Sequence, residues 1–217
     1  MKFLITTALA ILLCFTAFAT AQYPDKIIYN GKEYKLHSNP LETYFEKFPD
    51  KRPKGSIMST ALWRGYVATF EIKDSQLLLK DIQIQYWDTT NRENHDNKWK
   101  SVMNEVFPDQ KIVKVDWLTG LIVLPHGKLI NYVHMGYGST YENYFLLEIN
   151  KGEFIKAKRF NYKEYEKFKD KQFLAYKQTD DYKKIKTDLK KDGTTEEFID
   201  NFLRNFITQY TTKILTN

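Results

Sequence analysis

The apolar residues of this 217-residue chain repeat in two rhythms, and the change falls at Asn161. Upstream of it, runs such as Tyr66 to Lys73 and Leu77 to Tyr86 alternate apolar with polar positions. A period of two places every second side chain on one face of a strand. Downstream, Tyr162, Tyr165, Phe168, Phe173 and Tyr176 recur at spacings close to a helical turn. The switch predicts an α+β fold. An antiparallel β-sheet of about seven to nine short strands occupies residues 22–160, and two or three amphipathic helices follow over 161–217, in a single domain.

Local signals refine this reading. Asn30-Gly31 marks a tight hairpin, because both residues accept positive φ. Ser38-Asn39-Pro40 opens a short helix over 41–48, which stops at Pro49. Asp74-Ser75 turns between two strands, the second slipping register near Lys80-Asp81. Residues 98–107 read as a helix, and 111–117, 121–124 and 128–133 as separate strands. A further hairpin turns at Asn150-Lys151-Gly152. Asn161 with Glu164, and Thr194 with Glu197, have the spacing of capping boxes, and Thr179 can restart a helix. Phe198 to Leu215 then carries one wide apolar stripe. The four Trp (Trp63, Trp87, Trp99, Trp117) are expected mostly in the core.

The N-terminus has its own pattern. Met1-Lys2 is followed by an apolar run from Phe3 to Phe18 and then by Ala19-Thr20-Ala21. This reads as a secretory signal over residues 1–21, cleaved before Gln22, with an uncleaved anchor as the alternative. The mature protein is expected to be exported, periplasmic or secreted, with no transmembrane segment after cleavage. The single cysteine, Cys14, falls within the signal. The mature fold then rests on its core without a disulfide, and thiol chemistry is excluded.

Charge is uneven. Residues 22–150 hold 16 Lys plus Arg and 16 Asp plus Glu, whereas 151–217 hold 16 basic against 11 acidic residues. The excess is mostly Lys, alternating with acidic residues along helices. That is a solvated helix exterior or a loose attraction to an anionic envelope surface, and it argues against nucleic acid as partner.

The common catalytic fingerprints are missing: no Gly-x-Ser-x-Gly elbow, His-Glu-x-x-His or phosphate-binding glycine loop. No two of His37, His95, His126 and His134 share a metal-ligand spacing, so neither a metal nor another cofactor is expected. Three clusters remain. His134 leads into a loop with Tyr137, Tyr141, Glu142 and Tyr144, whose rings, hydroxyls and amides suit a sugar or peptide, or else pack as a bulge on a sheet edge. Arg64 lies between Trp63 and Tyr66. In a chain with five Arg against 28 Lys, its fixed fork points to a carboxylate partner (Asp116 or Glu142), or to an anionic ligand. Asp116-Trp117-Leu118-Thr119-Gly120 ends a strand in a tight turn.

The run Ser59-Thr60-x-x-Trp63-Arg64-Gly65-Tyr66-x-Ala68-x-Phe70-Glu71-Ile72-x-Asp74, with Leu79-x-Asp81-Ile82 and Asp116-Trp117-x-x-Gly120, resembles a group of small bacterial proteins with no assigned reaction. The resemblance spans about residues 56–155. It implies a shared β-rich fold and no catalytic residues. The functional expectation is a non-enzymatic binding or interaction module of the bacterial envelope, gripping a protein, peptide or glycan. The alternatives are a hydrolase of envelope polymers, using Glu142 or Asp116 with His134, and a toxin-immunity or inhibitor-type protein.

Overall fold

Asn30 (φ 50°) and Gly31 (φ 73°) make the two-residue turn that joins β1 (Asp25–Tyr29) to β2 (Lys32–Leu36). The computed structural model describes residues 22–88, 97–133, 137–191 and 193–215; the expected signal, His95 and His134 lie outside the described residues. After β2 come α1 (Glu42–Lys47) and a 3-10 turn at Pro49–Lys51. β3 (Val67–Lys73) and β4 (Gln76–Trp87) pair across Asp74-Ser75. Leu77, Leu79, Ile82 and Ile84 of β4 are all buried, although their spacing changes parity. Thr69 pairs with Asp81 but Phe70 with Leu79, so Lys80 is an extra residue, the slip expected from the sequence.

β5 (Asn97–Ser101) and β6 (Val113–Lys114) add to β4, with α2 (Met103–Val106) between them. β7 (Gly120–Asn131), β8 (Thr140–Asn150) and β9 (Glu153–Asn161) form an antiparallel meander. The sheet order is β2-β1-β3-β4-β9-β8-β7, with β1 and β3 parallel and the other pairs antiparallel. Its two ends meet. The His37 N–H donates to Val123 O at 2.9 Å, and the Val123 N–H reaches Ser38 Oγ at 3.4 Å. The sheet is thus rolled, and Ile27, Leu36, Phe70, Leu79, Ile84, Leu124, Leu147 and Ile149 fill its interior.

The outer face of β7–β9 is covered by α3 (Tyr162–Tyr176), whose Tyr165 and Phe168 meet Leu121, Val123, Tyr144 and Leu146. β7 is therefore buried on both faces, which is why Leu121-Ile122-Val123-Leu124 shows no alternation. Burying such side chains stabilises by roughly 1.5–3 kcal/mol each. α4 (Asp180–Lys191), α5 (Glu196–Asn205) and α6 (Ile207–Tyr210) complete the chain around Phe173, Tyr176, Tyr182, Ile199, Leu203 and Ile207. Buried Gln172 holds the segment after α6. Its Nε2 donates to Thr211 Oγ1 (3.0 Å) and Lys213 O (2.8 Å), and its Oε1 accepts from the Leu215 N–H (2.9 Å).

The α+β class and the nine strands among the described residues agree with the sequence reading. So does the Asn161–Glu164 capping box. Other details differ. Residues 98–107 begin as β5, because this segment pairs antiparallel with the edge of β4, from Gln83–Ser101 to Trp87–Asn97. β7 runs through Pro125-His126-Gly127, which it accommodates as an irregular register against β8. The last stripe breaks at Phe206 into α5 and α6, and its cap is Thr195, not Thr194. Trp63, Trp87 and Trp99 are exposed, at 50%, 54% and 37%, and only Trp117 is partly enclosed.

Candidate functional site

Asp25 and Arg64 form an ion pair inside the protein, with side chains 0% and 2% exposed. Arg64 Nη1 meets Asp25 Oδ2 at 2.9 Å and also reaches Asn39 Oδ1, while Nη2 donates to Tyr23 O at 2.8 Å. The Ala68 N–H donates to Asp25 Oδ1 at 2.9 Å. Arg64 thus has a buried carboxylate partner, but it is Asp25 and neither Asp116 nor Glu142. Sequence spacing could not show this, because 39 residues separate the two and β1 meets β3 by a parallel crossing. Burial pushes the Asp25 carboxyl up to about 6, and the Arg64 charge only partly offsets it.

A second pair stands beside the first. Arg52 grips Glu42 with both guanidinium nitrogens, at 3.0 and 2.8 Å, and the Tyr66 hydroxyl donates to Glu42 Oε1 at 2.6 Å. Burial favours the neutral Glu42 acid. The hydrogen bonds from Arg52 and Tyr66 outweigh that and hold it below the usual range. The Arg64 guanidinium lies 5.2 Å from the Tyr66 ring centre.

The network reaches the surface through Asn39. Asn39 Oδ1 accepts from Arg64 and also from the Tyr137 hydroxyl, at 2.7 Å. The Tyr137 ring is backed by His37, stacked at 4.7 Å and 14°. Burial, aided by Lys35, pulls the His37 imidazole down to about 4, so it is neutral near pH 7. Tyr137, Thr208 and Gln209 form a common wall between two clefts, of 400 and 390 Å³. The first runs along Ser139, Thr140, Tyr144 and Tyr162 toward Glu166 and Lys169. The second runs along Asn39, Thr43 and Thr119 toward Thr212. Together they make a polar groove between β7, β8 and α6, each cleft within the size range of small-ligand sites.

No family model, curated protein or solved structure matches this chain. The geometry alone ranks the sequence-derived candidates. Arg64, Tyr66 and Tyr137 belong to one connected cluster. Tyr141 is its neighbour, with its ring edge against His37 at 5.5 Å. Trp63 stands apart on the surface. Asp116 is exposed beside Tyr44 and Trp117, in a different hollow. Exposed Glu142 accepts from the Lys128 N–H at 3.3 Å. The Asp116 backbone abuts Gly152 at the Ile149 end of β8, so Glu142 is seven strand residues, roughly 23 Å, farther along. An acid and a base so placed do not face one bond. His134 lies outside the described residues.

The sequence reading missed Asp25, His37, Asn39, Glu166 and Gln209. Ser38-Asn39-Pro40 reads in the sequence as a helix start, but α1 begins at Glu42 with Leu41 as its N-cap, and the Asn39 carbonyl only closes the preceding turn by accepting from the Glu42 N–H at 3.1 Å. Gln209 lay within an apolar stripe and carried no signal. Among the described residues, no three His, Cys, Asp or Glu side chains converge as a metal site requires, and no helix is long and apolar enough to cross a membrane.

Proposed function

We propose that the protein is an exported, non-enzymatic binding module of the bacterial envelope that holds a peptide or glycan in the groove beside Tyr137. The supporting observation is the fixing of Tyr137. Its hydroxyl is bonded to Asn39, its ring is backed by His37, and Asn39 is anchored on the buried Arg64. A ring held on both counts loses little freedom when a ligand packs on it, which is what a preorganised site requires. Among the described residues the groove walls offer hydroxyls and amides but no acid–base pair aimed at one point, which favours holding over cutting.

Co-sedimentation of the mature protein with purified peptidoglycan sacculi, and with a sacculus digest in equilibrium dialysis, tests this reading. Binding should weaken in Tyr137→Ala, and the recovered ligand should be chemically unchanged. Equal binding by Tyr137→Ala, or cleavage of the ligand by the wild type, refutes it. Export is tested separately: the protein recovered outside the cytoplasm should begin at Gln22.

A further inference from the structure

The character of the groove narrows its ligand, and this step rests on the binding reading above. We infer that the groove takes an uncharged oligosaccharide. Three features carry this. First, its charges are spent internally. Glu166 pairs with Lys169 at 2.7 Å and with Arg204 at 2.9 Å, and the remaining ionisable groups of the first cleft are a neutral His37 and Tyr hydroxyls. In the second cleft Glu46 is the one carboxylate among the described residues, and it is exposed. Among the described residues, neither an anionic nor a cationic ligand finds a counter-charge that is not already engaged, apart from Glu46.

Second, the strand that borders both clefts has its outward ladder groups occupied at Val123. The Val123 carbonyl is taken by the His37 N–H, and the Val123 N–H by Ser38 Oγ. An extended peptide binds such a border by adding a strand, which needs those groups unpaired. Third, the available chemistry is a rigid aromatic face amid hydroxyls and amides. Tyr137 has His37 on one side of its ring, and Ser139, Thr140, Thr208 and Gln209 stand around it. A pyranose offers the complement: an apolar C–H face for the ring and a belt of neutral hydroxyls that donate and accept.

Titration calorimetry on the mature protein distinguishes the possibilities. The probes are chitotetraose, cellotetraose and maltotetraose, a neutral tetrapeptide, and the acidic saccharide tetragalacturonate. We expect at least one uncharged tetrasaccharide to bind, with an affinity that holds within about twofold between 50 and 500 mM NaCl, because screening touches only charge–charge attraction. Exposed Gln209→Ala should weaken it about threefold or more without altering the melting temperature, and Tyr137→Ala about tenfold. Binding of the tetrapeptide or of tetragalacturonate alone, lost in the same variants, overturns the assignment of an uncharged oligosaccharide and leaves the binding reading standing. Saccharide binding unaffected by Gln209→Ala and Tyr137→Ala overturns the assignment to this groove. No binding in any arm, with sacculi also unbound, overturns both.

Discussion

Replacing Arg64 with Met tests the buried network most directly. The side chain of Met matches the length of the Arg stem but removes the guanidinium. Asp25 keeps only the Ala68 N–H, Tyr23 O loses its donor, and Asn39 Oδ1 keeps only Tyr137. Removing one member of a buried ion pair costs about 3–5 kcal/mol, because a charge is left without its partner. The cost must depend on pH. Near pH 7.5 Asp25, with its carboxyl at about 6, is ionised in the wild type and stranded in the variant. Near pH 5 it is protonated in both, and the cost falls to the lost hydrogen bonds, about 1–2 kcal/mol. Urea unfolding followed by tryptophan fluorescence should therefore give a loss of about 4 kcal/mol at pH 7.5 that halves at pH 5. The double variant Asp25→Asn/Arg64→Met should lose less than the sum of the single losses. A loss below about 1 kcal/mol at pH 7.5, a loss independent of pH, or strict additivity would refute the account of this pair.

Three further outcomes are expected. The Asp25 carboxyl is raised from 3.8 to about 6 on folding, so its contribution is fully present below pH 3.8 and lost as pH rises through about 6. The stability difference between wild type and Asp25→Asn should accordingly shift against the wild type by roughly 3 kcal/mol over that window, measured by urea titration at each pH. Gly152→Ala should cost well above 2 kcal/mol in the same assay, since φ is +76° and a Cβ would sit 2.7 Å from Val115 O; Gly31→Ala, at φ +73° with open space around it, should cost only about 1 kcal/mol. Gln172→Leu removes both ends of the clamp on the final segment, and should cost about 2 kcal/mol and raise amide exchange at Ile214 and Leu215.

What could be read in the sequence was what depends on near neighbours. The Asn30-Gly31 turn, the extra residue at Lys80 and the Asn161–Glu164 cap are each decided within a few positions, and each stands where the pattern put it. Residues 98–107 misled because Trp99, Val102, Met103 and Val106 have helical spacing, yet the strand edge of β4 captures the first half of the segment. The aromatic cluster was half legible. Arg64, Tyr66 and Tyr137 were marked by residue type, but their partners Asp25 and Asn39 are brought in from 39 and 25 residues away by tertiary pairing. Glu142 and Asp116 looked equivalent in the sequence and differ in the fold, because the length of β8 separates them. The exposed Trp side chains broke a burial preference that composition alone supplies.

The rolled sheet closes along two narrow seams. At one, β4 touches β9 through the pair Gln76–Glu153, flanked by bonds from Leu77 N to Gly152 O and from Phe154 N to Ser75 O. At the other, the chain just past β2 bonds to Val123 of β7 through the His37 N–H and Ser38 Oγ, and the Tyr34 ring of β2 lies edge-on to His126 at 5.7 Å. Each half on its own is a continuous ladder, so the molecule is built as a clamshell, with two stiff leaves and two weak lips. Thermal opening should begin at the lips, and amides there should exchange with solvent long before those of the β7–β8 ladder. The second lip is also the floor beneath Tyr137. A ligand in the proposed groove would lie across that lip and bolt the leaves together, so its binding should be visible as slowed exchange at His37 and Val123.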